Sequence, residues 1–329
     1  MPQSKSLWII LPAVLGLVGL AIYVVLGTQA LTSLATAGFS DSKSGNENID
    51  GLEQIGTIKD SELSEISGIV ESKKFPGHFW VHNDSGNSAA AYLISSDGRT
   101  RLKVNLVGAR NVDWEDICRC EIKGESWICI GDVGDNAALR KGYQLYRFCE
   151  SRIQWDPATE KKTVLDVREF QVSKFMYEDG SRNCEAIMFD NQQQCLYLFQ
   201  KAKDRHEKSK QMGIYQIRFT DGQPDSTTAK RVGAVTNKLV TGGDMLRDGT
   251  RVVLCGYVAG ALMERNEHKD KDWNQLFSGS DTKFHLLPLP FQRQGEAICF
   301  TDDGESVIVV SEFRRQPIWK LKVKPKIEK

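Results

Sequence analysis

The chain carries little of the usual hardware of catalysis. No GxSxG elbow, HExxH pair, P-loop or EF-hand loop is present, so none of the reactions those motifs announce has support. Histidines number only five in 329 residues and are scattered, which argues against a Ser-His-Asp arrangement and a histidine-built zinc site. Charge of one sign is missing as well: 43 basic residues balance 43 acidic ones, and no global field argues for a nucleic-acid partner. Helical periodicity is nearly absent from Gly51 onward.

What is present begins with an apolar N-terminus. Lys5 precedes an uncharged, mostly apolar run from Leu7 to Leu26, about 20 residues, the length of a bilayer-spanning helix. No further Lys or Arg occurs until Lys43, a bias that puts the N-terminus in the cytoplasm and the remainder outside, in the periplasm or at the cell surface. Residues 1–27 are therefore expected to be a signal anchor that holds the protein in the membrane. Alternatively, small residues at Thr28-Gln29-Ala30 offer a cleavage site, and the segment is a signal peptide whose removal leaves a secreted protein. Residues 28–50 are small and polar, a flexible tether with no core of its own, and residues 51–329 form the folded domain. The basic, alternating tail KLKVKPKIEK reads as a protected edge strand.

Eight cysteines in an exported domain permit disulfides. In CEIKGESWIC, a two-residue turn at Gly124-Glu125 sets Cys120 opposite Cys129, either as a disulfide or as two small buried thiols. Cys184 and Cys195 flank a similar hairpin.

The folded part consists of short β-rich segments, among them FWVHN, SWICIGD, CLYLFQ, RVVLCGY and SVIVVSE, punctuated by turns such as Asp97-Gly98, Asp248-Gly249 and Asp303-Gly304. Three stretches align with one another: CEAIMFDNQQQCLYLFQ, GDMLRDGTRVVLCGY and GEAICFTDDGESVIVVSE. Each runs acid, apolar strand, turn, second apolar strand. SEISGIVESKKFPGHFWVHND and WEDICRCEIKGESWICIGD fit more loosely. The leading acids Glu65, Glu115, Glu185, Asp244 and Glu296 lie roughly 50–70 residues apart, the period of propeller blades. Too little chain follows Glu296 for a full blade, and LEQIGTIKD supplies the missing strand from the N-terminal side. The expectation is thus an all-β propeller of five blades, closed by its N-terminal strand, with six blades as the alternative if the longest interval is divided.

In a propeller the first strand of each blade starts, and the second ends, at one face beside the central channel. The second-strand ends are Asp84, Asp132, Lys201, Tyr257 and Glu312. Eight carboxylates, on Glu65, Asp84, Glu115, Asp132, Glu185, Asp244, Glu296 and Glu312, would then meet at one mouth, raising one another's pKa or binding a cation. Ligands that are all oxygen favour a hard ion such as Ca²⁺. The competing reading is that each acid caps a turn or pairs with a nearby base such as Arg110, Arg182, Lys201 or Arg293. Lys201, Tyr257, Asn83 and His82 are the candidates for contacting a ligand.

The motifs SEISGIVESKKFPGHFWVHNDSG, DWEDI, GDVGDN, EAIMFD, TGGDM and QGEAICFTDDGESVIVVSE, in that order from about Gly51 to Lys320, resemble a group of uncharacterised exported bacterial β-propellers. That group is similar in general appearance to TolB-like and gluconolactonase-like propellers, some of which hold a metal ion in the central channel. The resemblance implies fold and export, and implies Asp84, Glu115, Asp132, Glu185 and Glu296 as the site; the sequence departs from the group at Tyr257, where a basic-polar pair is more usual. Two functions follow as expectations. One is a binding module with a calcium-ordered mouth that grips a small molecule, a carbohydrate or a protein. The other is a metal-dependent hydrolase of a lactone, ester or phosphoester, with Glu296 or Glu115 as general base.

Overall fold

The computed structural model describes residues 49–201, 212–235, 240–257, 259–265, 271–279 and 284–323. The expected apolar helix, nearly all of the tether and the last residues of the tail lie outside them. Among the described residues no helix is long and apolar enough to cross a membrane.

Among the described residues, twenty-two strands follow one another. The first nine are β1 (Leu52–Thr57), β2 (Ile66–Glu71), β3 (His78–Asn83), β4 (Ala90–Ser95), β5 (Thr100–Leu106), β6 (Trp114–Ile122), β7 (Glu125–Asp132), β8 (Tyr143–Cys149) and β9 (Thr163–Val167). Then come β10 (Phe170–Tyr177), β11 (Cys184–Asp190), β12 (Cys195–Gln200), β13 (Met212–Thr220), β14 (Gln223–Pro224), β15 (Thr228–Val235) and β16 (Gly242–Met245). The last are β17 (Arg251–Cys255), β18 (Gly260–Glu264), β19 (His285–Leu287), β20 (Gly295–Phe300), β21 (Ser306–Ser311) and β22 (Pro317–Lys322), with a short α-helix, α1 (Trp273–Ser278), before β19.

The sheets are arranged like a propeller. Their orders are β2-β3-β4-β5-β9, β16-β17-β18-β19, β1-β22-β21-β20, and a larger sheet running β11-β12-β13-β15-β10-β8-β7-β6. In the last of these a short parallel pairing of β10 with β15 joins two antiparallel units edge to edge. The innermost strands pack side by side in a ring: β2 on β6, β6 on β11, β11 on β16, β16 on β20 and β20 back on β2.

Burial follows from that placement. Every residue of β11, β12 and β20 is buried, because sheets cover both of their faces, whereas outer strand β5 alternates buried and half-buried positions. Apolar clusters fill the space between neighbouring sheets; one, for example, sets Trp80, Leu93 and Val104 against Ile117, Ile130 and Phe148. At roughly 25 cal/mol per Å² of apolar surface, these faces supply the main driving force for assembly.

Three local expectations are corrected. The described start of the tail does not form an edge strand: β22 lies between β21 and β1, with Leu52 opposite Leu321 and Thr57 opposite Pro317. An alternating basic strand looks the same whether its outer neighbour is solvent or the other end of the chain. The β6–β7 hairpin turns at Lys123 (φ 52°) and Gly124 (φ 79°), not at Gly124-Glu125. Positive φ at both central residues is the turn that follows the right-handed strand twist, and it slides the register so that Cys118, not Cys120, faces Cys129. Cys184 pairs with Gln200 and Cys195 with Asp190, at opposite ends of their hairpin, and all eight cysteines are free thiols.

Candidate functional site

Four innermost strands share one irregularity. The register shifts between Ile66 and Gly68 in β2, Trp114 and Asp116 in β6, Cys184 and Ala186 in β11, and Gly295 and Ala297 in β20. Each shift is a β-bulge, and the extra residue is Ser67, Glu115, Glu185 or Glu296. A bulge bends its strand and re-aims one side chain out of the ladder. Glu115, Glu185 and Glu296 are thereby turned toward shared space, buried though they are.

The bulge glutamates differ in company. Glu185 accepts from Asn183 Nδ2 at 2.7 Å and pairs with Lys201 Nζ at 2.9 Å. Glu296 accepts from Gln294 Nε2 at 2.9 Å. In both, an amide two residues upstream tethers the carboxylate. Before Glu115 the equivalent residue is Asp113, which as a carboxylate has no proton to donate. Among the described residues no hydrogen bond or ion pair reaches the Glu115 carboxylate, although the residue is only 5% exposed.

Asp84, Asp113 and Glu115 each offer an oxygen to one small volume, these atoms lying within 4.8 Å of one another. The backbone that allows this crowding belongs to Gly134: a Cβ there would stand 2.0 Å from Glu115 Oε1 and 2.5 Å from Asp113 Oδ2. Asn111 holds the two arms together, donating to the carbonyls of Asn83 (3.1 Å) and Asp84 (2.7 Å) and accepting from Trp114 N at 3.1 Å.

The electrostatics match the geometry. Burial, then the charge of Asp84, pushes the Asp113 carboxyl up to about 6. Burial and the neighbouring charges of Glu185, Asp84 and Asp113 raise Glu115 well above the usual range. Burial and Glu185 push Glu296 up to about 8; burial, Asp84 and Glu65 push Glu312 up to about 7. Lys201 faces this field. Burial opposes its charge, but Glu185, Tyr257 and Glu296 outweigh that and raise its pKa. Its ammonium lies 5.5 Å from the Tyr257 ring centroid, and burial followed by Glu296 pushes the Tyr257 phenol up to about 12.

Asp84, Glu115, Glu185, Lys201, Tyr257, Glu296 and Glu312 are thus brought into one electrostatic neighbourhood, with Glu65 at its rim. Other anticipated residues are placed differently. Glu65 is level with Asp113, its carbonyl accepting from Asp84 N at 2.8 Å while Oε2 takes Asn87 Nδ2 at 2.6 Å; Ser67 occupies the bulge. Asp132 is fully buried, with Oδ1 shared between Asp113 N (3.1 Å) and Arg140 Nη2 (2.7 Å), and braces the loop that carries Asp113. Asp244 does not reach the mouth. No register shift is seen in β16, and Asp244 sits opposite Val253, where it accepts from Met245 N and Phe300 N and pairs with Arg247 at 2.6 Å.

His82 and Asn83 do not line open space either. Burial pushes His82 down to about 4, so it stays neutral, edge-on to Trp114 with Nδ1 at 3.0 Å from Asn83 O. Asn83 ties the preceding loop, accepting from Glu65 N and donating to Glu62 O. The residues missed in the sequence are Asp113 and Asn111. Their signal was the triplet Asp113-Trp114-Glu115 set beside Asn183-Cys184-Glu185 and Gln294-Gly295-Glu296, a polar residue two positions before each bulge glutamate.

No family model matches the chain, and no curated protein matches it. Among solved structures the chain is similar to a gluconolactonase from Xanthomonas campestris, at 12% identity and a TM-score of 0.42 over 75% of this chain and 69% of that one. It is also similar to U3-55K (10% identity, TM-score 0.41, 83% of this chain and 98% of that one). A third is the Pan2 WD40 domain of Neurospora crassa (9% identity, TM-score 0.41, 85% of this chain and 99% of that one). The propeller arrangement rests on the sheet order and the ring of inner strands; none of these likenesses bears on activity.

Proposed function

We propose that the chain is a five-bladed propeller whose mouth binds a hard divalent cation, Ca²⁺ by preference, through Asp84, Asp113 and Glu115, and uses that centre to hold a ligand. Five inner strands in a ring, with the first and last strands sharing a sheet, support the blade count. One observation carries the site: a carboxylate that is 95% buried, with two more within 4.8 Å and no donor among the described residues to compensate it. A buried carboxylate without a partner is costly, and a cation removes the cost for all three at once. The donors are all oxygen, which suits a hard ion, and three protein ligands leave positions of a six- to eight-coordinate Ca²⁺ for water or a ligand oxygen. Export and membrane anchoring belong to the same proposal and rest on the apolar stretch Leu7–Leu26 alone.

The test is thermal melting of the chelator-treated chain with added Ca²⁺, beside Glu115→Gln. At a hundred times Kd a single site adds about 2.7 kcal/mol, enough to move the wild-type transition by several degrees. Glu115→Gln is expected to melt no lower than wild type without metal and to lose the calcium response. A wild-type transition indifferent to millimolar Ca²⁺, or an undiminished response in the variant, sinks the proposal.

A metal-assisted hydrolase is the second reading, and one observation favours it. Glu296, near 8, holds its proton at neutral pH beside Lys201, which is how a buried carboxyl is poised for acid–base work on a lactone, ester or phosphoester. Turnover that needs both Ca²⁺ and Glu296, lost in Glu296→Gln, would establish it; absence of turnover with calcium binding intact leaves the binder.

A further inference from the structure

The other end of β6 carries opposite chemistry. Cys118 and Cys120 point to the same face of the strand, being two residues apart, and Cys129 on β7 stands directly across from Cys118. Their three sulfurs lie within 4.8 Å of one another, and all three residues are 0% exposed. Arg147 on β8 is the next residue along the same row, paired with Cys129, and it too is 0% exposed. Among the described residues its guanidinium bonds to neutral oxygens alone: Gly222 O at 2.8 Å, Ser173 Oγ at 3.3 Å and Gln223 Oε1 at 3.2 Å, with the Phe219 ring centroid at 4.8 Å. No carboxylate pairs with it among the described residues. A buried guanidinium without a countercharge is as costly as a buried carboxylate without one. With three neutral thiols the row keeps an uncompensated positive charge; anionic sulfur cancels it.

We propose that Cys118, Cys120 and Cys129 form a soft-metal site that takes one Cu(I), with Arg147 as its countercharge. Three sulfurs with no oxygen or nitrogen ligand in the group suit Cu(I), whereas structural zinc calls for four ligands. Binding displaces two thiol protons to the solvent, giving a centre of two thiolates, one thiol and one Cu(I). Its single negative charge matches the guanidinium, and no oxidation occurs. Arg147 is a positioning residue here; it acts through charge and touches no metal.

The experiment titrates the full chain, reduced and held under argon, with Cu(I) against a chromogenic Cu(I) chelator. Wild type is expected to take one equivalent from the chelator and the Cys118→Ser, Cys120→Ser, Cys129→Ser triple variant none. Arg147→Met is expected to weaken binding about tenfold to a hundredfold, as outer-shell changes do. X-ray absorption on the copper-loaded wild type needs no variant, so it stands even if the triple variant fails to fold; it should show a three-coordinate, sulfur-only shell. Failure of wild type to take copper from the chelator, nitrogen or oxygen in the shell, or a Cys118–Cys129 disulfide that persists under reductant would each overturn the assignment.

Discussion

Glu115 and Asp116 are consecutive residues on one strand, both buried, and they do different work. Asp116 is embraced by backbone: its carboxylate accepts from Ile117 N at 2.8 Å and Ile187 N at 2.9 Å, stitching β6 to β11. Asp244 does the same between β16 and β20, accepting from Met245 N at 2.9 Å and Phe300 N at 3.0 Å, with Arg247 supplying charge. Glu115 sits on the bulge one residue earlier, and among the described residues no hydrogen bond reaches its carboxylate. A buried acid in this ring is a staple when amides converge on it and a candidate ligand when they do not. The bulge makes the difference, because it takes one side chain off the ladder, where the amides are, and aims it at the mouth.

That contrast breaks most visibly at the staples. Arg247→Met leaves Asp244 buried without its cation and is expected to cost about 3–5 kcal/mol in urea unfolding, with no specific effect on calcium affinity. Asp116→Ala strands two amides, at roughly 1–3 kcal/mol for each bond left unmade, so it should lower the unfolding midpoint while Glu115→Gln does not. If Asp116→Ala proved silent and Glu115→Gln crippled folding, the two roles would have to be exchanged.

A further effect is one of pH, and its sign separates the layers further. Asp113, Glu312 and Glu296 titrate near 6, 7 and 8 in the folded protein, above their ordinary values of 3.8 and 4.5. The folded state therefore holds protons that the unfolded chain releases. That contribution is fully present below about pH 4 and is lost as pH rises through about 8. Unfolding midpoints measured in chelator should decline across this window. Calcium affinity should rise over the same window, because the cation competes with those protons. A chelated protein that gains stability between pH 5 and 8 contradicts the crowding of charge at the mouth.

Much of this was legible in the chain. The Glu-Ala-Ile cassettes at Glu185 and Glu296 mark inner-strand starts because an acid followed by four apolar residues fits a strand buried along its whole length, whose leading carboxylate has to be given a partner or a task. LEQIGTIKD could be matched to β22 because closing a ring demands a partner for the last strand. Asp244 misled because acid-plus-apolar reads alike in β16, where no register shift is seen, and in its siblings. Asp113 was overlooked because an aspartate before a strand looks like an ordinary turn residue until its neighbour's carboxylate is found beside it.

From the order of residues alone came the β-strand repeat, its period, and the acids that punctuate it, since alternation and turn chemistry act over a few neighbouring residues. Which of those acids meet was decided only by the folded ring. Bulges, the choice of turn at Lys123-Gly124 and the absent Cβ of Gly134 set the direction of single side chains by ångströms. Distances of that size between groups far apart in sequence depend on the packing of whole sheets, which no local pattern encodes.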